Sequence, residues 1–186
     1  MSRLDDFLSL LCGRFDNTQQ LRELGETGGP ALPLAEHVNT VCNDRIAGLP
    51  ADFPGKFVLE ESYYTTDGKT HASPHLFLFT EEGEAVKLTS YQLPKGPDGS
   101  PVSYETLPPM RWEDLEVSGK FTPALYTLHD GVWEGGSVSI FSPVLQFTLY
   151  ERFSREALEV AETMEMNGRR TFGYDVPIVY RRKTEG

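Results

Sequence analysis

The chain has 186 residues and a formal net charge of −11, from 28 acidic and 17 basic side chains. This length is typical of a single domain with a sizeable buried core. Nucleic-acid binding requires a basic surface that displaces counterions, so the acidic balance argues against a nucleic-acid partner. It argues against an anionic membrane surface for the same reason.

The sequence also lacks the patterns of several other protein classes. No apolar run approaches the roughly 20 residues that a membrane span needs, and charges interrupt the short apolar stretch near the N-terminus, so neither a membrane anchor nor a secretory signal is expected. Two cysteines, Cys12 and Cys42, are too few for a disulfide-stapled secreted domain, which predicts reduced thiols in a cytoplasmic protein. The four histidines share no ligand spacing with the cysteines, so no metal site is predicted.

The chain begins with a pattern typical of an amphipathic helix. Apolar residues recur at the spacing of one helix face: Leu4, Phe7, Leu8 and Leu11. Ser2 and Asp5 form a plausible capping pair before them. Residues 13–20, GRFDNTQQ, interrupt this helix, and a second short helix is predicted over 20–24. Together they define an N-terminal helical segment, residues 1–25.

From residue 34 to residue 183 the pattern changes to β-branched and aromatic residues separated by turn signals. The segment 56–66 is a representative strand, and Asp130-Gly131 is typical of a hairpin turn. About eight antiparallel strands are predicted, with further helix near 154–165. Because strands and helices do not alternate, the pattern indicates a mainly β fold rather than an α/β fold.

One predicted strand is apolar on both faces, at Leu76, Phe77, Leu78 and Phe79. One face of such a strand could line a cavity while the other meets the N-terminal helix. This favours a closed antiparallel β-barrel with an interior over a β-sandwich, which would explain the same residues through a packed core.

The acidic pair Glu60-Glu61 lies within a predicted strand. Neighbouring strand residues point to opposite faces, so one of the two carboxylates would point into a closed barrel. There it needs a hydrogen-bond donor or a cation, or it takes up a proton. The alternative is a rim strand with both groups solvated. His37 and His75, taken alone, are interpreted as structural histidines.

The order of several short motifs resembles the T-type phycobilin lyases, the CpcT/CpeT chromophore-lyase family. Residues 13–20 are similar to its G-x-F-x-N-x-x-Q opening, and 57–64, FVLEESYY, to its aromatic-leucine-glutamate-glutamine-x-tyrosine segment. Residues 172–182, FGYDVPIVYRR, are similar to its W-G-x-x-x-G-P-x-x-F-x-R close. His37 at the start of a strand and Pro74 in a later strand also match. The resemblance covers nearly the whole chain.

This resemblance implies one lipocalin-like calyx domain over residues 1–186, with the barrel at 34–183, that pairs as a homodimer. Family members hold a linear tetrapyrrole (a bilin) and attach it to a cysteine of a phycobiliprotein β subunit by forming a C–S bond. Glu60 would then be the catalytic acid that protonates the chromophore. The ligand-binding residues that the resemblance implies are Asn17, His37, Tyr63, His75 and Phe77. No cofactor is implied other than a bound bilin or another apolar ligand.

Strand parity conflicts with one of these assignments. Val58, Glu60 and Ser62 share one face, so Tyr63 falls on the other face unless the strand carries a bulge.

The chain also departs from the family at two arginine positions, which are Leu76 and Leu78 here. Arginines there could pair with bilin propionates, so their loss predicts weak or absent bilin attachment. Whether the protein is an enzyme is therefore left open. One alternative is a non-catalytic lipocalin-like carrier of another apolar or tetrapyrrole ligand, and another is a barrel that is simply packed.

Overall fold

The computed structural model describes residues 2–184, which form two α-helices and thirteen β-strands. The helices are α1, Arg3–Leu11, and α2, Thr18–Thr27. The strands in chain order are β1 Gly13–Asp16, β2 Leu34–Val41, β3 Ile46–Ala47, β4 Lys56–Thr66, β5 Lys69–Glu82, β6 Ala85–Tyr91, β7 Met110–Arg111, β8 Ala124–His129, β9 Val132–Ser142, β10 Leu145–Phe153, β11 Leu158–Met166, β12 Arg169–Phe172 and β13 Ile178–Arg182.

Ten of these strands form one closed antiparallel barrel. Their order around the ring is β10-β9-β8-β6-β5-β4-β2-β1-β13-β11, and pairing between β10 and β11 closes it. β12 pairs with β11 outside the ring, and β3 and β7 form a separate parallel pair. The predicted mainly β, lipocalin-like antiparallel barrel is confirmed, because closure of a single sheet excludes the sandwich alternative.

Tight turns join several barrel strands. Asp130 and Gly131 have φ values of 50° and 79°, and Asp67 and Gly68 have values of 51° and 73°. Two-residue turns with positive φ at both central positions match the right-handed twist of the strands that they connect. The turns predicted from these Asp-Gly pairs are therefore confirmed.

The helix α1 seals one end of the barrel. A reciprocal capping box fixes its start, in which Ser2 Oγ accepts from the Asp5 amide and Asp5 accepts from the Ser2 amide, both at 3.0 Å. The helix lies outside the ring of strands but inserts Phe7, whose ring centroid is 5.0–5.3 Å from four inward-facing aromatic rings, those of Phe79, Tyr126, Trp133 and Phe153. We call this the closed end.

A second apolar core lies on the outer surface of β4 and β5. Leu76 and Leu78 contribute to it from β5, and Phe57 and Leu59 from β4. The connecting segments cover them with Cys42, Ile46, Val102, Leu107 and Met110. The sequence prediction that the outer face of residues 76–79 meets the N-terminal helix is therefore wrong, because the connecting segments occupy that face.

Three predicted elements also differ from the structure. Residues 13–16 form the barrel strand β1, paired with both β2 and β13, although the sequence assigned them to the N-terminal helical segment. The predicted helix near 154–165 is wrong, because 158–166 alternates inward and outward as β11. The helix α2 continues past Gly25 and ends at Gly28, whose φ of 69° is left-handed.

The helices in residues 2–184 were also compared with the requirements of a membrane span. None combines the length and the apolar composition that such a span needs.

Candidate functional site

The open end of the barrel, opposite α1, holds a cavity of about 310 Å³. Its wall is mainly apolar and rich in phenylalanine: Phe77, Phe121, Phe141, Phe147 and Phe172. Phe121 meets Phe141 and Phe147 edge-on, at centroid distances of 5.3 and 5.7 Å. This volume lies near the lower limit of ligand pockets, which span roughly 300–1,000 Å³. We call this space the upper cavity.

Basic side chains line the mouth of the upper cavity. Lys120 Nζ lies 4.4 Å from the ring centroid of Phe141, a cation–π contact. His75 stacks on Phe77 at 5.6 Å, and its Nε2 lies 3.2 Å from Ser73 Oγ. Burial lowers the pKa of His75, with a smaller contribution from the charge of Lys120. His75 is therefore a neutral hydrogen-bonding group at pH 7.

Three glutamates point into the barrel between its two ends: Glu60 on β4, Glu151 on β10 and Glu162 on β11. Burial raises the pKa of all three carboxyl groups, that of Glu151 to about 7 and that of Glu60 well above its usual range. Their mutual repulsion contributes further to the raised pKa values of Glu60 and Glu151. Glu162 also lines the upper cavity.

The hydrogen-bond partners of these carboxyl groups are hydroxyl groups and not cations. The Tyr126 hydroxyl donates to Glu151 Oε2. The Tyr64 hydroxyl donates to Glu162 Oε2 at 3.5 Å, and Ser62 Oγ donates to Glu60 Oε1 at 3.3 Å. Among the described residues, no lysine or arginine forms an ion pair with any of the three. Without a cation to stabilise the ionised form, burial favours the protonated form of each carboxyl group more than water does.

His37 completes this polar layer. Its side chain is buried, with Nε2 3.2 Å from Ser62 Oγ and Nδ1 3.9 Å from Glu60 Oε2. The second distance is too long for a hydrogen bond, and Nδ1 has no other partner in residues 2–184. Burial lowers the pKa of His37 to about 3, so the ring is neutral at pH 7.

The structure places the sequence-predicted residues at different depths. Glu60 faces the interior and Glu61 the exterior, which is the predicted orientation. However, Glu60 lies below the upper cavity, and Ser62 on the same strand is the residue that contributes to the cavity wall. His75 and Phe77 line the upper cavity, and His37 lies deeper. Asn17 is buried away from it, where its Nδ2 donates to Pro33 O at 2.9 Å and its Oδ1 accepts from Ala35 N at 2.8 Å.

Tyr63 does not share the interior with Glu60. The register of β4 with β2 and β5 continues without a bulge, so parity turns Tyr63 outward. Its hydroxyl donates to Glu61 Oε1 at 2.6 Å, and the ring lines an outer groove of about 860 Å³ together with Tyr104. Tyr63 therefore does not reach the barrel interior, where the resemblance implied a ligand-binding role for it, and the strand parity is followed instead.

The two family arginine positions also lie outside the cavity. Leu76 and Leu78 face outward into the second core, so arginine side chains there would not point into the upper cavity. Lys120 is the lysine that does line it. Four other cations lie on other surfaces of the protein: Arg45, Lys87, Arg181 and Arg182.

Sequence reasoning missed Glu151 and Glu162, although a signal for both exists. Glu151 shares its strand parity with Leu149 and Phe153, and Glu162 shares it with Leu158 and Val160. A glutamate that alternates in step with the apolar residues of a barrel strand is expected to point inward with them. Lys120 carries no comparable signal, because it lies in a connecting segment without periodicity.

The described residues contain no group of three or more His, Cys, Asp or Glu side chains arranged to hold a metal ion. In comparisons with known proteins, no family model, no curated protein and no solved structure matches this chain.

Proposed function

We propose that this protein is a carrier that binds a small, largely apolar ligand in the upper cavity. The observation that carries this proposal is the contrast within one barrel, where aromatic side chains fill the closed end and surround about 310 Å³ of space at the open end. Protein interiors are close-packed, so a purely structural barrel gains nothing from such a space. A phenylalanine-lined cavity with a few polar groups suits an apolar, ring-containing ligand.

A bilin lyase or bilin chaperone is the second candidate, favoured by the carboxyl group of Glu162 in the cavity wall. A carboxyl group whose pKa is raised by burial could accept a hydrogen bond from a pyrrole N–H and, when protonated, donate its proton to the chromophore. Glu162 would thus take the acid role that the sequence resemblance assigned to Glu60. Because the volume is small, part of a four-ring ligand would extend past the mouth.

The finer features of this candidate are also proposals. The acceptor would be a cysteine of a phycobiliprotein β subunit, and the protein would act in the cytoplasm as a homodimer. Exposed apolar side chains on the outer surface of β8 and β9 offer a surface for pairing: Leu125 and Ile140. Both cysteines are free, as a reducing compartment requires.

The test is a titration with three ligands: a linear tetrapyrrole (biliverdin), haem and 4-phenylbutan-1-ol. Visible spectra report the first two, and calorimetry reports the alcohol. We expect saturable binding of the alcohol. Biliverdin binding, together with transfer of phycocyanobilin to a phycobiliprotein β subunit, would favour the lyase candidate.

A pair of neighbouring substitutions on β9 locates the binding site. Ser137 lines the upper cavity, whereas Val138 points outward and is 48% exposed. We expect Ser137→Phe to fill the cavity and weaken binding at least tenfold, and Val138→Phe to leave it within about twofold. Unchanged binding by a folded Ser137→Phe variant would place the ligand elsewhere.

A further inference from the structure

The floor of the upper cavity has unused hydrogen-bonding capacity. Glu162 on β11 and Tyr64 on β4 both line the cavity, and their contact joins the Tyr64 hydroxyl to Glu162 Oε2 at 3.5 Å. That distance is at the limit of a hydrogen bond. The second oxygen, Oε1, receives no hydrogen bond from residues 2–184. This carboxyl group is thus free to meet a ligand.

A buried group beside Glu162 is unpartnered. Tyr180 is fully buried on β13, and its hydroxyl has no hydrogen-bond partner in the described part of the chain. Its side chain borders a void of about 10 Å³ together with Tyr64 and Glu162. That is about the space of one water molecule. Since an unpaired buried hydroxyl is destabilising, the Tyr180 hydroxyl requires a partner in this void, which shares Tyr64 and Glu162 with the upper cavity.

The electrostatics of the floor favour one sign of charge. The titratable groups that face Glu162 are Glu60 and Tyr64 from β4, Glu151 from β10 and Tyr180 from β13. Lys120, His71 and His75 are the basic groups of the cavity wall. Lys120 is an exposed residue held over Phe141, at the mouth rather than the floor. Burial keeps the nearby His37 neutral at pH 7, so the carboxyl groups are the groups of the floor that can carry charge there. This favours a positive or N–H-bearing group.

We propose that the ligand of the upper cavity carries a basic, N–H-donating head group, which enters first and hydrogen-bonds to Glu162 and Tyr64. Its apolar body packs against Phe141 and Phe147 nearer the mouth. This inference rests on the proposed function and specifies its ligand class, a small apolar amine rather than an acid.

Three ligands with one shared body test the inference by calorimetry on the intact protein. They are 4-phenylbutylamine, 4-phenylbutan-1-ol and 4-phenylbutanoate. We expect the amine to bind roughly ten- to a hundredfold more tightly than the alcohol, because hydrogen bonds to charged groups are the stronger ones. The butanoate is expected to bind most weakly.

Two substitutions on β11 distinguish amine binding at the cavity floor from the general attraction of an acidic protein for cations. Glu162→Gln keeps the side-chain shape and is expected to remove the preference for the amine while alcohol binding stays within about twofold. Glu159→Gln is the matched control, since Glu159 points outward, is 33% exposed and pairs with Arg152 at 3.7 Å. The preference should survive this control.

The wild-type measurements alone can overturn the inference, whatever the variants do. Equal binding of amine and alcohol, or tightest binding of the butanoate, would overturn it and leave the carrier function in place. Tightest binding of the butanoate would identify Lys120 as the residue that determines which head group the cavity prefers. Binding of none of the three would remove the proposed function and this inference with it.

Discussion

The two ends of the barrel are built from the same ring of strands but are filled differently. At the closed end Phe7 enters from α1 and contacts four inward aromatic rings. At the open end the inward phenylalanines contact one another around an empty space. Burial of large aromatic side chains stabilises the first end, whereas the second leaves such surface available to a ligand.

The glutamate layer separates these two ends. Glu60, Glu151 and Glu162 have hydroxyl partners but no ionic partners in residues 2–184, so ionising them is unfavourable in this interior. The layer therefore makes folding sensitive to pH, whereas the closed end makes it sensitive to side-chain volume. Three measurements of stability, described in order of decreasing expected effect, test this difference between the two ends and the layer.

The largest effect is expected from Phe7→Ala. Removing a fully buried ring from a cluster that cannot collapse should lower the free energy of unfolding by about 3–5 kcal/mol, measured by urea denaturation. Phe147→Ala at the open end is the matched comparison. It should cost only about 1 kcal/mol, because its ring already borders a space, yet it should weaken ligand binding. Equal losses of stability at the two positions would contradict the division of the barrel into a packed end and a binding end.

A smaller effect is expected from pH. Burial raises the pKa of Glu151 from 4.5 to about 7, so between these values the folded state binds more protons than the unfolded state. The contribution of Glu151 to the free energy of unfolding should therefore fall by roughly 3 kcal/mol as the pH rises from about 4.5 through 7, and then level off. Glu60 and Glu162 act in the same direction.

Urea midpoints at pH 5 and pH 8 measure this dependence. Glu151→Gln should flatten the slope and be more stable than the wild type at pH 8, while the outward Glu159→Gln should leave the slope unchanged. Stability that rises with pH, or an unaltered slope in Glu151→Gln, would show that Glu151 is not a neutral buried acid.

The smallest loss of stability is expected from removing the hydrogen bonds between Arg182 of the barrel and the C-terminal end of α1. The guanidinium of Arg182 donates to the carbonyl oxygens of Ser9, Leu10 and Cys12 at 2.7–3.1 Å. A cation at a helix C-terminus is favourable, but this side chain is exposed. Arg182→Gln should therefore cost about 1 kcal/mol, a decrease in Tm of about 2–4 °C by calorimetry. Arg22→Gln, in the exposed face of α2, should not change Tm, and an equal decrease in both would remove the role of Arg182.

The fold was predictable because its determinants are local. Helical spacing defined α1, Asp-Gly pairs defined turns, and β-branched and aromatic residues defined β4. The strand β1 was missed because four residues carry too little periodicity, and its pairing with β13 joins segments at opposite ends of the sequence.

The candidate site was only partly predictable, since strand parity decides orientation but not depth. Parity correctly predicted that Glu60 faces inward and that Tyr63 faces outward. It could not show that Ser62 and Glu162, rather than Glu60, form the cavity wall, because depth depends on barrel closure between β10 and β11. It also could not place Lys120, which reaches the mouth from a segment without regular structure.

The most direct test of the central claim is the intermolecular nuclear Overhauser effect (NOE) between bound 4-phenylbutan-1-ol and the aromatic ring protons of the protein. The account predicts NOEs to Phe141 and Phe147 at the open end and none to Phe7 at the closed end. NOEs confined to Tyr63 and Tyr104 in the outer groove would contradict it, because the ligand would then lie outside the barrel.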